Sequence, residues 1–220
     1  MARLKVGVLI SGRGSNLQAL IDAAADPACP AEIALVISNR PEAAGLARAA
    51  AAGIKSLVIA EPDRSAFAEA ADSALRGAGV ELVALAGFMR ILDKDFVDTW
   101  TNRMVNIHPS LLPAFPGLHP QRQALAAGVK FSGCTVHFVR AEVDTGPIIA
   151  QAVVPVEDGD DEDRLADRIL AAEHILYPLA VRLFAEGRLR IANERVWVAG
   201  GDTPTGVLFN PSENLASSAG

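Results

Sequence analysis

Short aliphatic runs alternate, along the first half of the chain, with longer stretches whose apolar positions recur every three or four residues. The runs at 6–10, 33–37, 56–59, 81–86 and 104–107 are apolar almost throughout, as expected of strands buried on both faces. Between the first four of them the spacing predicts helices over 17–25, 41–52 and 65–75, with Gly53, Gly77 and Gly79 near helix ends. Strands and helices alternating at this interval make βαβ units, and hence a parallel, doubly wound sheet.

The second half has a different rhythm. The strand at 104–107 stops at His108-Pro109, because proline offers no N–H to a ladder and pushes the residue before it out of helical geometry. A helix over 120–127 is closed by Gly128, strands come next over 131–139 and 148–156, and the longest helix spans 161–186. Its apolar stripe is Leu165, Ile169, Ala172, Leu176, Leu179 and Leu183, with Glu173 at the stripe's edge and His174 on the opposite face. A hairpin, 189–191 with 195–198, turns at Asn193-Glu194, and residues 200–220 read as a loosely held tail. The fold class is therefore α/β. One domain is expected over 1–199, Rossmann-like and doubly wound over about 1–100, with a mixed sheet over about 101–199.

Composition narrows the class of partner. Half of the 220 residues are hydrophobic and only 5% aromatic, so Ala, Val, Leu and Ile build the core. A formal charge of −6 argues against nucleic acid held through overall charge. No apolar run approaches the ~20 residues that cross a bilayer. The basic start is followed by an apolar segment too short for a signal peptide, ending at Ser11-Gly12-Arg13. Cys29 and Cys134 stand apart, so neither a disulfide framework nor a zinc site is expected. The expectation is a cytoplasmic protein with small-molecule substrates, no nucleic acid, no membrane and no metal, acting as a monomer or homodimer.

Candidate chemistry gathers at strand ends. Asn106 and His108 share one face of their strand, and Pro109, Pro113, Pro116 and Gly117 stiffen the loop that leaves it. A carboxamide beside an imidazole suits a developing oxyanion and proton transfer near neutral pH; the plain alternative is a strand cap. Ser11 to Asn16 forms a Gly-rich turn between strand and helix, where backbone N–H groups meet phosphate. Of the dinucleotide fingerprint only Gly12 and Gly14 are present, Leu17 stands where the third glycine belongs, and no acidic residue closes the second strand. A phosphate monoester fits better, the alternative being a helix capped by Ser15 or Asn16. The apolar loop Gly87-Phe88-Met89-Arg90-Ile91-Leu92 reads equally as a ligand groove or a core plug. Asp144-Thr145-Gly146 is by itself an Asx-type turn; were Asp144 to approach His108, its charge would favour the imidazolium and orient the ring. Glu173 is a candidate partner for an ammonium, or a partly covered surface charge. For His119 and His137 the structural role is favoured.

Asn106-Ile107-His108-Pro109-Ser110-Leu111-Leu112-Pro113 with Gly117 close behind, and Gly133-Cys134-Thr135-Val136-His137 with Asp144-Thr145-Gly146, resemble the folate-dependent formyltransferases. The likeness runs from the first strand to about Gly187 and is greatest for the branch that formylates glycinamide ribonucleotide in purine synthesis. It implies that Asn106, His108 and Asp144 are catalytic, that Gly14, Ser15 and Asn16 hold the ribonucleotide phosphate, and that Glu173 binds the glycyl amine. It also implies a folate groove formed by Arg64, Met89, Arg90, Ile91, Leu92, Val139, Arg140, Ala141 and Val143. The cosubstrate would be 10-formyltetrahydrofolate, its formyl group passing directly to the amine without a metal or a covalent enzyme intermediate. Related hydrolases carry an N-terminal regulatory domain, and methionyl-tRNA and nucleotide-sugar formyltransferases carry extra C-terminal domains. A chain that starts at the first strand and ends soon after the hairpin is expected to be neither.

Overall fold

The computed structural model describes residues 2–202 and 205–211. The first half runs β1 (Leu4–Ile10), α1 (Ser15–Ala24), β2 (Ala31–Ser38), α2 (Gly45–Ala51), β3 (Ser56–Val58), α3 (Arg64–Gly77), β4 (Leu82–Leu85) and α4 (Lys94–Thr99). The second runs β5 (Met104–His108), α5 (Pro120–Ala127), β6 (Phe131–Phe138), β7 (Ile148–Pro155), α6 (Glu162–Ala185), β8 (Leu189–Ala192) and β9 (Arg195–Val198). Seven strands form one sheet in the order β3-β2-β1-β4-β5-β6-β7. The first five pair in parallel, and β6 and β7 are added antiparallel. The doubly wound half and the mixed half are thus one continuous sheet. Strand order reverses between β1 and β4, so a crevice opens beyond their carboxyl ends.

Alternation along β1 sends Val6, Val8 and Ile10 to one face, where Leu17, Leu20, Leu165 and Ile169 of α1 and α6 cover them. Leu9 points to the other face, with Phe67 and Leu75 of α3 and Phe96 of α4. Removing this aliphatic surface from water is the main source of stability. Where β6 meets β7 the backbones come very close: a Cβ at Gly133 would lie 1.9 Å from the carbonyl oxygen of Ala152. Gly133→Ala is accordingly expected to cost about 1–3 kcal/mol through forced backbone movement. Urea unfolding checks this, and an unchanged midpoint would contradict the close approach.

Three elements differ from the sequence pattern. The second helix starts at Gly45 rather than at residue 41, because the chain first turns to bring two glycines together. Gly45 N donates to Gly12 O at 3.0 Å, and a Cβ on Gly14 would sit 2.6 Å from the Gly45 Cα. The six-residue α4, started by Asp93 accepting from Asp95 N, has no counterpart among the predicted helices. On α6, Leu179 is exposed, whereas Glu173 and Tyr177 occupy the buried line. Tyr177 is drawn inward by two acceptors, donating to Leu85 O at 3.0 Å and Val105 O at 3.2 Å.

The hairpin closes on Asn193 and Glu194, both left-handed at φ 50 and 53, the two-residue turn whose twist matches the strands. Part of the expected loose tail is tied down, since Asn210 Nδ2 donates to Val156 O at 2.9 Å; residues 203–204 and 212–220 lie outside the described residues. Among the described residues no helix is long and apolar enough to cross a membrane.

Candidate active site

Antiparallel pairing of β5 with β6 sets Asn106 opposite His137 and His108 opposite Thr135. All four side chains consequently share one sheet face. The loop between β6 and β7 returns over that face and delivers Asp144, whose side chain is only 7% exposed. Its Oδ2 lies 3.4 Å from His108 Nδ1 and accepts from Gly117 N at 2.8 Å. Across the ring, His108 Nε2 donates to Phe115 O at 3.0 Å. Acceptors therefore face both ring nitrogens. The contact to Asp144 is longer than a good hydrogen bond, so Nδ1 is the nitrogen open to a further acceptor.

His137 borders this corner as the satisfied, buried histidine favoured from sequence, only 2% exposed. Its Nδ1 donates to Phe138 O at 3.0 Å, leaving Nε2 to accept from Asn106 Nδ2 at 3.3 Å. Burial lowers its pKa and keeps the ring neutral. Asp144 Oδ1 stands 3.8 Å from the same nitrogen. One amide hydrogen of Asn106 is fixed in this way and the other remains available. The signal was present in the sequence: Thr135 and His137 share a face at the spacing of Asn106 and His108. What it lacked was the pairing that superimposes the two faces. His119 is a different matter. It caps α5, is well exposed and faces Glu162 at 3.8 Å, away from this corner.

The loops around the corner are held tightly. Thr135 Oγ1 donates to Ser110 O at 2.7 Å and accepts from Leu112 N at 3.0 Å. Phe115 and Asp144 are left-handed, at φ 54 and 58, a conformation that costs a side-chain-bearing residue of order 1 kcal/mol or more and persists only where neighbours enforce it. Among the described residues no group of three His, Cys, Asp or Glu is arranged to hold a metal ion.

At the other end of the crevice α1 begins at Gly14, left-handed at φ 71, with no side chain capping its first N–H groups. Ser15 and Asn16 do not cap the helix, so those donors remain for a ligand. Asn16 instead turns inward and donates to Glu173 Oε2 at 2.8 Å. Glu173 is 5% exposed, well inside the boundary expected for it. Burial pushes its carboxyl up to about 7, against a lowering by the Asn16 hydrogen bond. Beside this turn a cavity of about 520 Å3 is lined by Ser15, Gln18, Arg48 and His174, and the buried Nε2 of His174 has no partner there.

The expected folate residues divide into two groups. Met89, 72% exposed, together with exposed Ile91, Leu118 and Val143, leaves large apolar side chains on the rim, which marks a contact surface. Leu92 and Val139 instead pack on the core beneath. Arg90 stacks over Phe67 at 5.0 Å and donates to Glu61 O and Pro62 O, so its guanidinium is engaged within the fold. Arg64 is exposed in the first turn of α3, and Ala141 is exposed in the Asp144 loop. The Arg140 side chain is engaged with Glu194 and Asn102.

Residues 4–181 match the formyl transferase family, and the chain belongs to that family. Phosphoribosylglycinamide formyltransferase of Escherichia coli is 44% identical, over 91% of this chain and 96% of its own length. The crystal structure of glycinamide ribonucleotide transformylase 1 from Symbiobacterium toebii superposes with a TM-score of 0.86 at 54% identity, covering 89% of this chain and 94% of that one. The trifunctional purine biosynthetic protein adenosine-3 of Drosophila pseudoobscura pseudoobscura is 56% identical over 87% of this chain, which spans only 14% of that protein's length.

Proposed function

We propose that this chain transfers the formyl group of 10-formyltetrahydrofolate to the amine of glycinamide ribonucleotide, a step of purine biosynthesis. The observation that carries the reading is the 3.4 Å approach of Asp144 to His108, with Asn106 two residues away on the same face. The N–H groups of Gly14, Ser15 and Asn16 take the phosphate, and Glu173 holds the glycyl amine end. The rim from Arg64 and Met89–Leu92 to residues 139–143 receives the folate. The amine attacks the formyl carbon and a C–N bond forms, so charge builds on the formyl oxygen. Asn106 Nδ2 and His108 Nδ1 donate hydrogen bonds to that oxygen. As the tetrahedral intermediate collapses, the bond to the folate nitrogen breaks. Asp144, through water, carries the proton from the new amide nitrogen to the departing one. No covalent intermediate on the protein is needed.

The rival reading is hydrolysis of formyl-folate by the same three side chains, with water in place of the amine. Following formyl-folate spectroscopically with and without glycinamide ribonucleotide separates the two. Consumption is expected only when the amine is present. Consumption without it would indicate the hydrolase, and ribonucleotide binding with no consumption would indicate a binding module.

A further inference from the structure

Behind the loop that carries Asp144 lies a cavity of about 660 Å3, walled by Leu112, Pro113 and Pro116 on one side and by Glu194 and Val196 of the hairpin on the other. The rear of the loop is therefore only partly packed; its middle is tied by Gly117 N donating to Asp144 Oδ2 at 2.8 Å, and the rest depends on its ends. The carboxyl end is fixed by backbone contact: Phe138 N donates to Pro147 O at 2.9 Å, and a Cβ on Gly146 would meet Phe138 O at 1.7 Å. The amino end is fixed by Val139 N donating to Met104 O at 2.9 Å and, beyond that, by one side chain. Arg140 Nε donates to Glu194 Oε2 at 2.8 Å and Nη2 to Glu194 Oε1 at 3.2 Å. Nη2 also donates to Asn102 Oδ1 at 2.9 Å, and Nη1 to Val139 O at 3.0 Å.

We infer that Arg140 and Glu194 form a positioning latch, through which the β8–β9 turn holds residues 141–145 in the shape that receives the cosubstrate and keeps Asp144 against His108. Exposed ion pairs contribute little as a rule. This one differs in two respects. The Arg140 side chain is 20% exposed against 67% for Glu194 and engages the carboxylate with two donors, a geometry that lysine cannot reproduce. Its partner sits on a two-residue turn whose residues are both left-handed, so the carboxylate is presented by a stiff element. The latch joins three places distant in sequence: the turn after α4, the end of β6 and the closing hairpin. Without it the loop samples the space behind it and must be ordered anew each time the cosubstrate binds, a cost that falls on affinity.

The inference rests on the formyl-folate reading for its kinetic arm only. Glu194→Ala is expected to raise the KM for formyl-folate about three- to tenfold. The kcat and the KM for glycinamide ribonucleotide should stay within about twofold of wild type, since a saturating cosubstrate restores the loop. Hydrogen exchange of amides 141–145 in the free protein should accelerate, while 131–138 stays protected. Unchanged exchange and unchanged folate KM in Glu194→Ala would overturn the latch, as would a uniform rise in both KM values with a lower unfolding midpoint. Wild-type protein that consumes no formyl-folate would refute the functional reading instead, and the exchange comparison would still decide the latch.

Discussion

His108→Ala is expected to lower kcat by about a hundred- to a thousandfold, the usual cost of removing one donor from a developing oxyanion. The ring is anchored through Nε2 to Phe115 O at 3.0 Å and offers Nδ1 toward Asp144 at 3.4 Å. Losing it removes a donor at the reacting oxygen and leaves the Phe115 carbonyl without its partner. The second loss costs of order 1 kcal/mol of stability, too little to unfold the domain. Asp144→Asn should reduce kcat comparably. The carboxamide can still accept from Gly117 N, but it no longer supports a charged ring or relays a proton. Circular dichroism should match wild type for both variants. Wild-type-like kcat in either would remove that residue from the chemistry.

Glu173→Gln is expected to change how stability depends on pH. The carboxyl is pushed up from 4.5 to about 7, mainly by burial. Its charged form is therefore disfavoured in the folded chain and free in the unfolded one. Stability present below pH 4.5 is lost as pH rises through 7, by about 3 kcal/mol for a shift of this size. Glutamine keeps an oxygen for Asn16 Nδ2 and does not titrate. Compared with wild type, the variant should therefore gain on passing from pH 4.5 to pH 8. Urea midpoints at the two values test this, and parallel pH profiles would contradict it. The same burial bears on function, because a ligand ammonium at Glu173 supplies the counter-charge that the free protein lacks. The variant should then bind glycinamide ribonucleotide more weakly.

Most of the fold was legible because the strands of the parallel half are mostly aliphatic runs, and several helix ends are marked by glycine or a capping side chain. Asp161, capping α6 with its side chain on Arg164 N at 2.8 Å, and Gly128, closing α5, are such marks. The failures have local causes. Residues 41–44 fit a helical pattern, yet the contact between Gly14 and Gly45 imposes a turn there. The α4 segment is too short for three-to-four spacing to register. Helix geometry sets Glu173 at the edge of the apolar stripe, and its burial depends on Asn16, far away in sequence, which donates to it at 2.8 Å. At the site, period two along one strand put Asn106 and His108 together. The inclusion of His137 and the engagement of Arg140 by Glu194 depend on strand register and on a hairpin packed from the far end of the chain. Neither can be had from spacing.

The most direct measurement gives the enzyme 10-formyltetrahydrofolate with a heavy isotope in its formyl carbon, together with glycinamide ribonucleotide, and reads the products by mass spectrometry. Direct transfer places the label on the ribonucleotide in equal amount to the tetrahydrofolate released, and His108→Ala slows both together. Label recovered as free formate, or tetrahydrofolate formed without a labelled ribonucleotide, would contradict it.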